Sequence, residues 1–199
     1  MRPTPRALIT GLWLSWAVYW WIAARGVKRN QWRESTLSRM VHGLPLVAAF
    51  LLLSPTNSPS LTGASAAARV CAWIGMTATA AGLGFAVWAR RHIGRNWSGV
   101  ITVKEDHELV TSGPYSLVRH PIYSGLLLAF AGSALASMHW RGAAALALAT
   151  MAIMLRVRGE EVVMRGRFGE DYLRYAARVA PLVPFLRGRR PRPGRPRVL

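Results

Sequence analysis

Val70 to Ala89 is a run of twenty residues without a charged side chain, and roughly 20 apolar residues are what a helix needs to cross the hydrocarbon core of a bilayer. Four more neutral runs surround it. Leu8–Ala24 holds four Trp, Met40–Ser54 contains Pro45, and Pro121–Ala136 and Gly142–Leu155 are shorter and separated only by Ser137–Arg141. Five such runs in 199 residues leave no room for a separate soluble domain. They predict an all-α integral membrane protein of about five transmembrane helices, the last two forming a C-terminal helical hairpin, followed by an interfacial amphipathic helix. The first run also has features of a secretory signal peptide, with Arg2 and Arg6 ahead of it and Ala23-Ala24 at its end. Its bulky tryptophans, and the four hydrophobic segments that follow, favour a retained helix.

The net charge of +18 would suit a nucleic-acid partner, but its distribution points to a membrane instead. Lys and Arg cluster at 25–39, at 90–119 and from Arg156 onward, leaving only Arg2, Arg6, Arg69 and Arg141 elsewhere. Basic loops stay in the cytoplasm, so these three clusters alternate correctly through five spans and leave the N-terminus outside. Arg2 and Arg6 fall on the wrong side of that scheme. The expected organisation is one domain over residues 1–186, with its cofactor-binding part in 90–184, and a basic, disordered tail over 187–199 drawn to membrane lipids. The Arg- and Ala-rich composition resembles that of a high-GC bacterium, which would place the protein in an inner membrane. Cys71 is the only cysteine, which rules out an internal disulfide and a cysteine-based zinc site. No metal site is expected from the histidines, and the oligomeric state stays open.

Chemistry concentrates in two segments. The first, HELVTSGPYSLVRHPIYSG, spans His107–Gly125. Gly113-Pro114 marks a turn. Proline suits the first position of a helix and disfavours helix in the residue before it, so His120 should flank a helix that begins at Pro121. The open amides of that N-terminus would receive an anion such as an amino-acid carboxylate, with Tyr123 and Gly125 in the same turn. In the second segment, Arg156 and Glu160 are four apart and share a helix face, where charge at a membrane edge tends to be functional. Beyond them Val162, Val163, Phe168, Tyr172 and Tyr175 alternate with Arg165, Arg167, Arg174 and Arg178, a pattern for an interfacial helix. No glycine-rich fingerprint follows a strand, which excludes a Rossmann-type enzyme, and there is no nucleophile elbow.

Together the two segments resemble the isoprenylcysteine carboxyl methyltransferase family, small integral membrane enzymes that use S-adenosylmethionine. The likeness covers about His107–Pro184 and is carried by LVTSGPYSLVRHPIYSG, then Glu160-Glu161, then FGEDYLRYAARVAPLVP. It implies that His107, Glu108, Leu109, Val110, Tyr115, His120, Pro121, Ile122 and Tyr123 line a cofactor pocket. It further implies that Glu160 holds the cofactor's ammonium group and that Arg156 faces the substrate, a lipophilic or small-molecule methyl acceptor. Eukaryotic members also place a Gln upstream of the His107 position. No Gln stands close upstream of His107 here, and Thr102 or Asn96 are the candidates to take its place.

A carboxylate acceptor is already ionised at neutral pH and needs no base. A phospholipid amine or a thiol would need one, with Glu161 or His120 as candidates. Two other classes remain open. An NADPH-dependent sterol-type reductase shares the His-Pro-x-Tyr pattern, and a non-catalytic membrane protein would use the same polar groups only as interfacial anchors.

Overall fold

A computed structural model describes residues 4–25, 27, 30–54, 65–104 and 108–184. His107 and the basic tail expected over 187–199 lie outside the described residues.

Each neutral run is a helix, and hydroxyl side chains start the first three. Thr4 caps α1 (Pro5–Ala23), Ser35 caps α2 (Thr36–Leu53) and Ser65 caps α3 (Ala66–Ile93), each accepting a bond from a backbone N–H three residues on. Such a cap satisfies an amide that the helix itself leaves unpaired. A single 3-10 turn, Gly94–Asn96, closes α3. The short α4 (Pro114–Leu117) precedes α5 (Pro121–Ser137), which begins at proline as expected. Met138, in the left-handed conformation with φ 46°, and His139 then turn the chain into α6 (Trp140–Arg178). That turn is tight enough that a Cβ on Gly142 would lie 2.4 Å from Ser137 Oγ.

The five longer helices run alternately between two ends of a bundle. α2, α3 and α6 are long and apolar enough to cross a membrane, and α5 is a shorter apolar helix. Leu14, Val18, Leu44, Val47, Trp73 and Ile74 face outward and are more or less half exposed, as suits an integral membrane protein whose outer surface meets lipid. Inside, association needs close backbones and shared polar contacts, because lipid is as apolar as leucine. α3 and α5 meet antiparallel through glycines: a Cβ on Gly82 would lie 2.4 Å from the Gly125 carbonyl, and one on Gly132 would lie 2.5 Å from that of Gly75. At mid-depth Trp13 Nε1 donates to Ser133 Oγ at 3.0 Å, and Thr79 Oγ1 meets the same hydroxyl at 3.1 Å. Trp13, Phe50 and Phe130 pack ring against ring beside them.

Two features depart from the sequence reading. A two-stranded antiparallel ribbon, β1 (Asn30–Arg33) with β2 (Thr102–Lys104), joins the loop before α2 to the loop before α4. The fifth run also continues as helix well past Leu155, and the break that separates it from the expected interfacial helix comes only at Gly169. The charges from Arg156 onward end the apolar run without ending the helix, since Arg, Glu and Met all sustain helix well. Only Gly169, at φ 51°, breaks the geometry, and the turn beyond it brings Tyr172 and Tyr175 back into the interior.

Candidate functional site

At one end of the bundle the C-terminus of α3, the N-terminus of α5 and the middle of α6 enclose a cleft. The cleft holds about 130 Å³ and is partly open. Glu108, Leu109, Val110, Tyr115, His120, Pro121, Ile122, Tyr123 and Glu160 all line it, together with Asn96, Trp97, Arg119, Met164, Tyr172 and Tyr175. Arg156 stands behind this wall rather than in it. It reaches the site through Tyr123, donating from Nε to the phenol oxygen at 2.5 Å and to Glu160 Oε1 at 3.1 Å.

The local backbone explains how these groups are held. Gly113 adopts φ 58°, and a Cβ there would sit 2.6 Å from the His92 ring. His92 Nε2 also meets Ser112 Oγ at 2.9 Å, fixing the turn to the end of α3. Tyr175 donates to the Tyr115 carbonyl at 2.6 Å. The segment after α6 straps the start of α5: Arg119 N donates to the Ala180 carbonyl at 2.8 Å, His120 N to that of Pro181 at 3.0 Å, and Ser124 Oγ to that of Leu182 at 2.5 Å. No side chain caps α5. Its first turn keeps the partial positive charge of a helix N-terminus.

Two adjacent carboxylates organise the charge. Glu160 accepts from the Tyr123 hydroxyl at 2.5 Å and from Arg156, and its other oxygen lies 3.5 Å from His120 Nδ1. Glu161 is taken by Arg119, whose Nε donates at 3.0 Å, and by Arg165 at 2.8 Å. Arg119 also donates to the Ala176 and Val179 carbonyls, tying Glu161 to the strap. His120 is buried between the two carboxylates. Burial alone would lower its pKa, but the bonds and charges of Glu160 and Glu161 outweigh that and raise it above 6.5.

The sign follows from linkage. A raised pKa in the folded state contributes stability that is fully present below about 6.5, the unfolded value, and is lost as pH rises through the folded one. The detergent-solubilised protein should therefore lose thermal stability on the alkaline side, and His120→Gln should flatten that part of the profile. Equal Tm-versus-pH slopes in the two proteins between pH 6 and 9 would exclude the assignment.

Three buried polar atoms in the cleft have no hydrogen-bond partner among the described residues: Asn96 Oδ1, Tyr172 OH and His120 Nε2, the last 3.6 Å from Glu161 Oε1. Such atoms are costly unless a ligand satisfies them. Asn96, one of the two substitutes for the missing Gln, thus has its amide in the cleft wall, whereas nothing is described of the Thr102 side chain. The sequence reading placed Tyr172 and Tyr175 on an interfacial helix rather than in the site, and gave Arg119 and the strap no separate role. Nothing local reveals that Arg119 has a partner 42 residues away. The sequence reading also missed a buried network at the start of α2, where Glu34 accepts from Ser38 Oγ at 2.6 Å, pairs with His42 Nε2 at 3.0 Å and receives Ile101 N at 3.0 Å. This network pins the cleft-lining loop at Ile101 to α2.

A family profile described as phospholipid methyltransferase matches residues 70–171, which is just over half of the chain and includes the α5–α6 hairpin with both carboxylates. The chain belongs to the phospholipid methyltransferase family. Within it, the likeness to isoprenylcysteine methyltransferases read from the motifs is matched by relatives of that name. Protein-S-isoprenylcysteine O-methyltransferase B of Arabidopsis thaliana is 35% identical over 96 residues, 47% of this chain and 49% of that protein. The cobalt-zinc-cadmium resistance protein CzcN of Cupriavidus metallidurans is 37% identical over 97 residues, 47% of this chain and 44% of that one. The chain spans about half the length of the curated relatives it matches. In fold it resembles the eukaryotic intramembrane Ras methyltransferase, isoprenylcysteine carboxyl methyltransferase, with a TM-score of 0.62 at 18% identity over 94% of this chain and 70% of that one.

Proposed function

We propose that this member of the phospholipid methyltransferase family is an S-adenosylmethionine-dependent methyltransferase acting on a lipophilic acceptor, with a carboxylate as the accepting group. One observation carries the reading. Within a single cleft the protein offers a fixed carboxylate, Glu160, and an uncapped helix N-terminus, the complements of an amino acid's ammonium and carboxylate. The Asn96, His120 and Tyr172 atoms that lack a hydrogen bond fit a ligand rich in polar groups. Glu160 would hold the ammonium, the first turn of α5 the carboxylate, and the Tyr115 and Trp97 rings the flat base. Bound there, S-adenosylmethionine supplies an electrophilic methyl group on sulfur.

The protein's own part is to orient, to exclude water and to keep its charges fixed. Tyr123 holds Glu160 and Arg156 in register. Arg156, with Nη1 and Nη2 not engaged by either of its two partners, would grip the acceptor's carboxylate. Neither base considered from sequence is free to take a proton. Glu161 is consumed by Arg119 and Arg165, and His120 is held between Glu160 and Glu161, whose bonds and charges raise its pKa and favour its charged form. This supports an acceptor that is already anionic over a neutral thiol or a protonated amine. The charge clusters support a site end facing the cytoplasm, and an inner bacterial membrane remains the proposed location.

Membranes containing the protein, incubated with S-adenosylmethionine labelled in the methyl group, should acquire label that mild base releases as a volatile product, the signature of a methyl ester. Base-stable label in phospholipid would instead establish amine methylation. Removing the phenol by Tyr123→Phe deletes a group that bonds both Arg156 and Glu160, and a hydrogen bond to a charged group contributes about 1.5–3 kcal/mol. S-Adenosylhomocysteine should then bind roughly ten- to a hundredfold more weakly by calorimetry; unchanged affinity would remove Tyr123 from the site.

A further inference from the structure

A second cavity opens at the opposite end of the bundle, between α1, α2 and the α5–α6 turn. It holds about 580 Å³, within the roughly 300–1,000 Å³ typical of ligand pockets. Its floor is aromatic and apolar, made by Trp13, Trp16, Phe50 and Ala17, and its rim carries Arg6 and Arg141. The innermost α5 residue that lines it, Ser133, is ten residues from Tyr123. At 1.5 Å per residue that is roughly 15 Å along the helix, so this cavity is separate from the cleft.

The rim arginines are charges that the positive-inside scheme does not explain. Arg6 Nη2 donates to the Ser137 carbonyl at 3.0 Å, and Arg141 Nε and Nη2 donate to the Leu52 and Leu51 carbonyls at 3.2 Å. These bonds aim the two guanidinium groups at the cavity mouth and leave part of the five donors of each unused. Neither forms an ion pair among the described residues. The sequence offers this end no carboxylate either, since all eight Asp and Glu lie at position 34, at 105–108 or from 160 onward. Uncompensated cations above an apolar hollow, at a membrane surface, complement an anionic head on a hydrocarbon chain.

We infer that this cavity is a binding site for one anionic phospholipid of the leaflet opposite the cleft, its acyl chain in the hollow and its phosphate on Arg6 and Arg141. Each basic residue near a membrane surface contributes about 1 kcal/mol toward an anionic lipid, so two give a preference of about thirtyfold.

The test titrates the purified full chain in detergent with phosphatidylglycerol, phosphatidylcholine or inorganic phosphate and counts bound molecules by native mass spectrometry. One phosphatidylglycerol should be retained per chain, about thirtyfold more tightly than phosphatidylcholine, and phosphate should not compete. Arg6→Gln with Arg141→Gln should abolish the preference, and Ala17→Phe, which fills the hollow, should exclude both lipids. Should the double variant fail to fold, Arg6→Gln alone and Ala17→Phe decide. Equal retention of the two lipids, displacement by phosphate alone, a second chain in place of lipid, or retained preference in the variants would each overturn the inference. S-Adenosylhomocysteine affinity, measured in parallel, should not change with any of these variants, so failure here is distinguishable from failure of the methyltransferase reading.

Discussion

Replacing Glu160 by Gln is expected to weaken S-adenosylhomocysteine binding by a factor of about a hundred or more and to reduce methyl transfer at least as far. The carboxylate sits where three neighbours converge: the Tyr123 hydroxyl, Arg156 and His120. Removing one partner of a buried charged pair costs about 3–5 kcal/mol, much of it from the charges left unpaired, and 1.4 kcal/mol is tenfold in affinity. Gln keeps the shape and one acceptor, so the change isolates charge. Glu161→Gln provides the comparison, because Glu161 ties Arg119 and the 179–182 strap together and does not line the cleft. Its variant should lose thermal stability more than affinity. If both variants bound like wild type, Glu160 would be a structural ion-pair member and the ammonium would have to be held elsewhere.

The second large effect concerns the scaffold. Gly82→Leu should largely prevent recovery of folded protein from membranes, because its Cβ would fall 2.4 Å from the Gly125 carbonyl and 2.6 Å from Ala129 N. Overpacking a well-formed core costs about 1–3 kcal/mol when side chains can yield. Here the obstacle is backbone, so α3 and α5 must separate along their length. Gly84, two residues on, has nothing within 4 Å of an added Cβ, and Gly84→Leu should extract and melt like wild type. A monodisperse Gly82→Leu protein with unchanged Tm would show that the two helices do not approach this closely.

Much of this architecture is legible because apolar runs and a helix-starting proline are local signals. Pro121 marks α5, whereas α1, α2 and α3 start three or four residues ahead of the runs read from Leu8, Met40 and Val70, at the hydroxyl caps Thr4, Ser35 and Ser65. The hairpin follows from five residues between two runs. What escaped was nonlocal or masked by composition. The charges at Arg156, Arg158, Glu160 and Glu161 end hydropathy without ending the helix, so the boundary between the fifth span and the helix after it reads near Leu155 in the sequence and lies at Gly169 in space. Glu161 was a spare base on paper because its partner Arg119 lies beyond the hairpin. The strap at 179–182 makes main-chain bonds, and a run such as Val179-Ala180-Pro181 carries no side-chain signature for them. The cleft residues His120, Tyr123 and Glu160 stand out in the sequence because they are polar groups at the edge of apolar runs, where burial demands partners.

Ultraviolet cross-linking of methyl-labelled S-adenosylmethionine to the wild-type protein, followed by mapping of the labelled peptide, tests the central claim most directly. The cleft predicts label, displaced by S-adenosylhomocysteine, in peptides containing residues 93–101, 108–123 or 160–175. Label confined to residues 4–54 or 127–152, or no label that S-adenosylhomocysteine displaces, would contradict it.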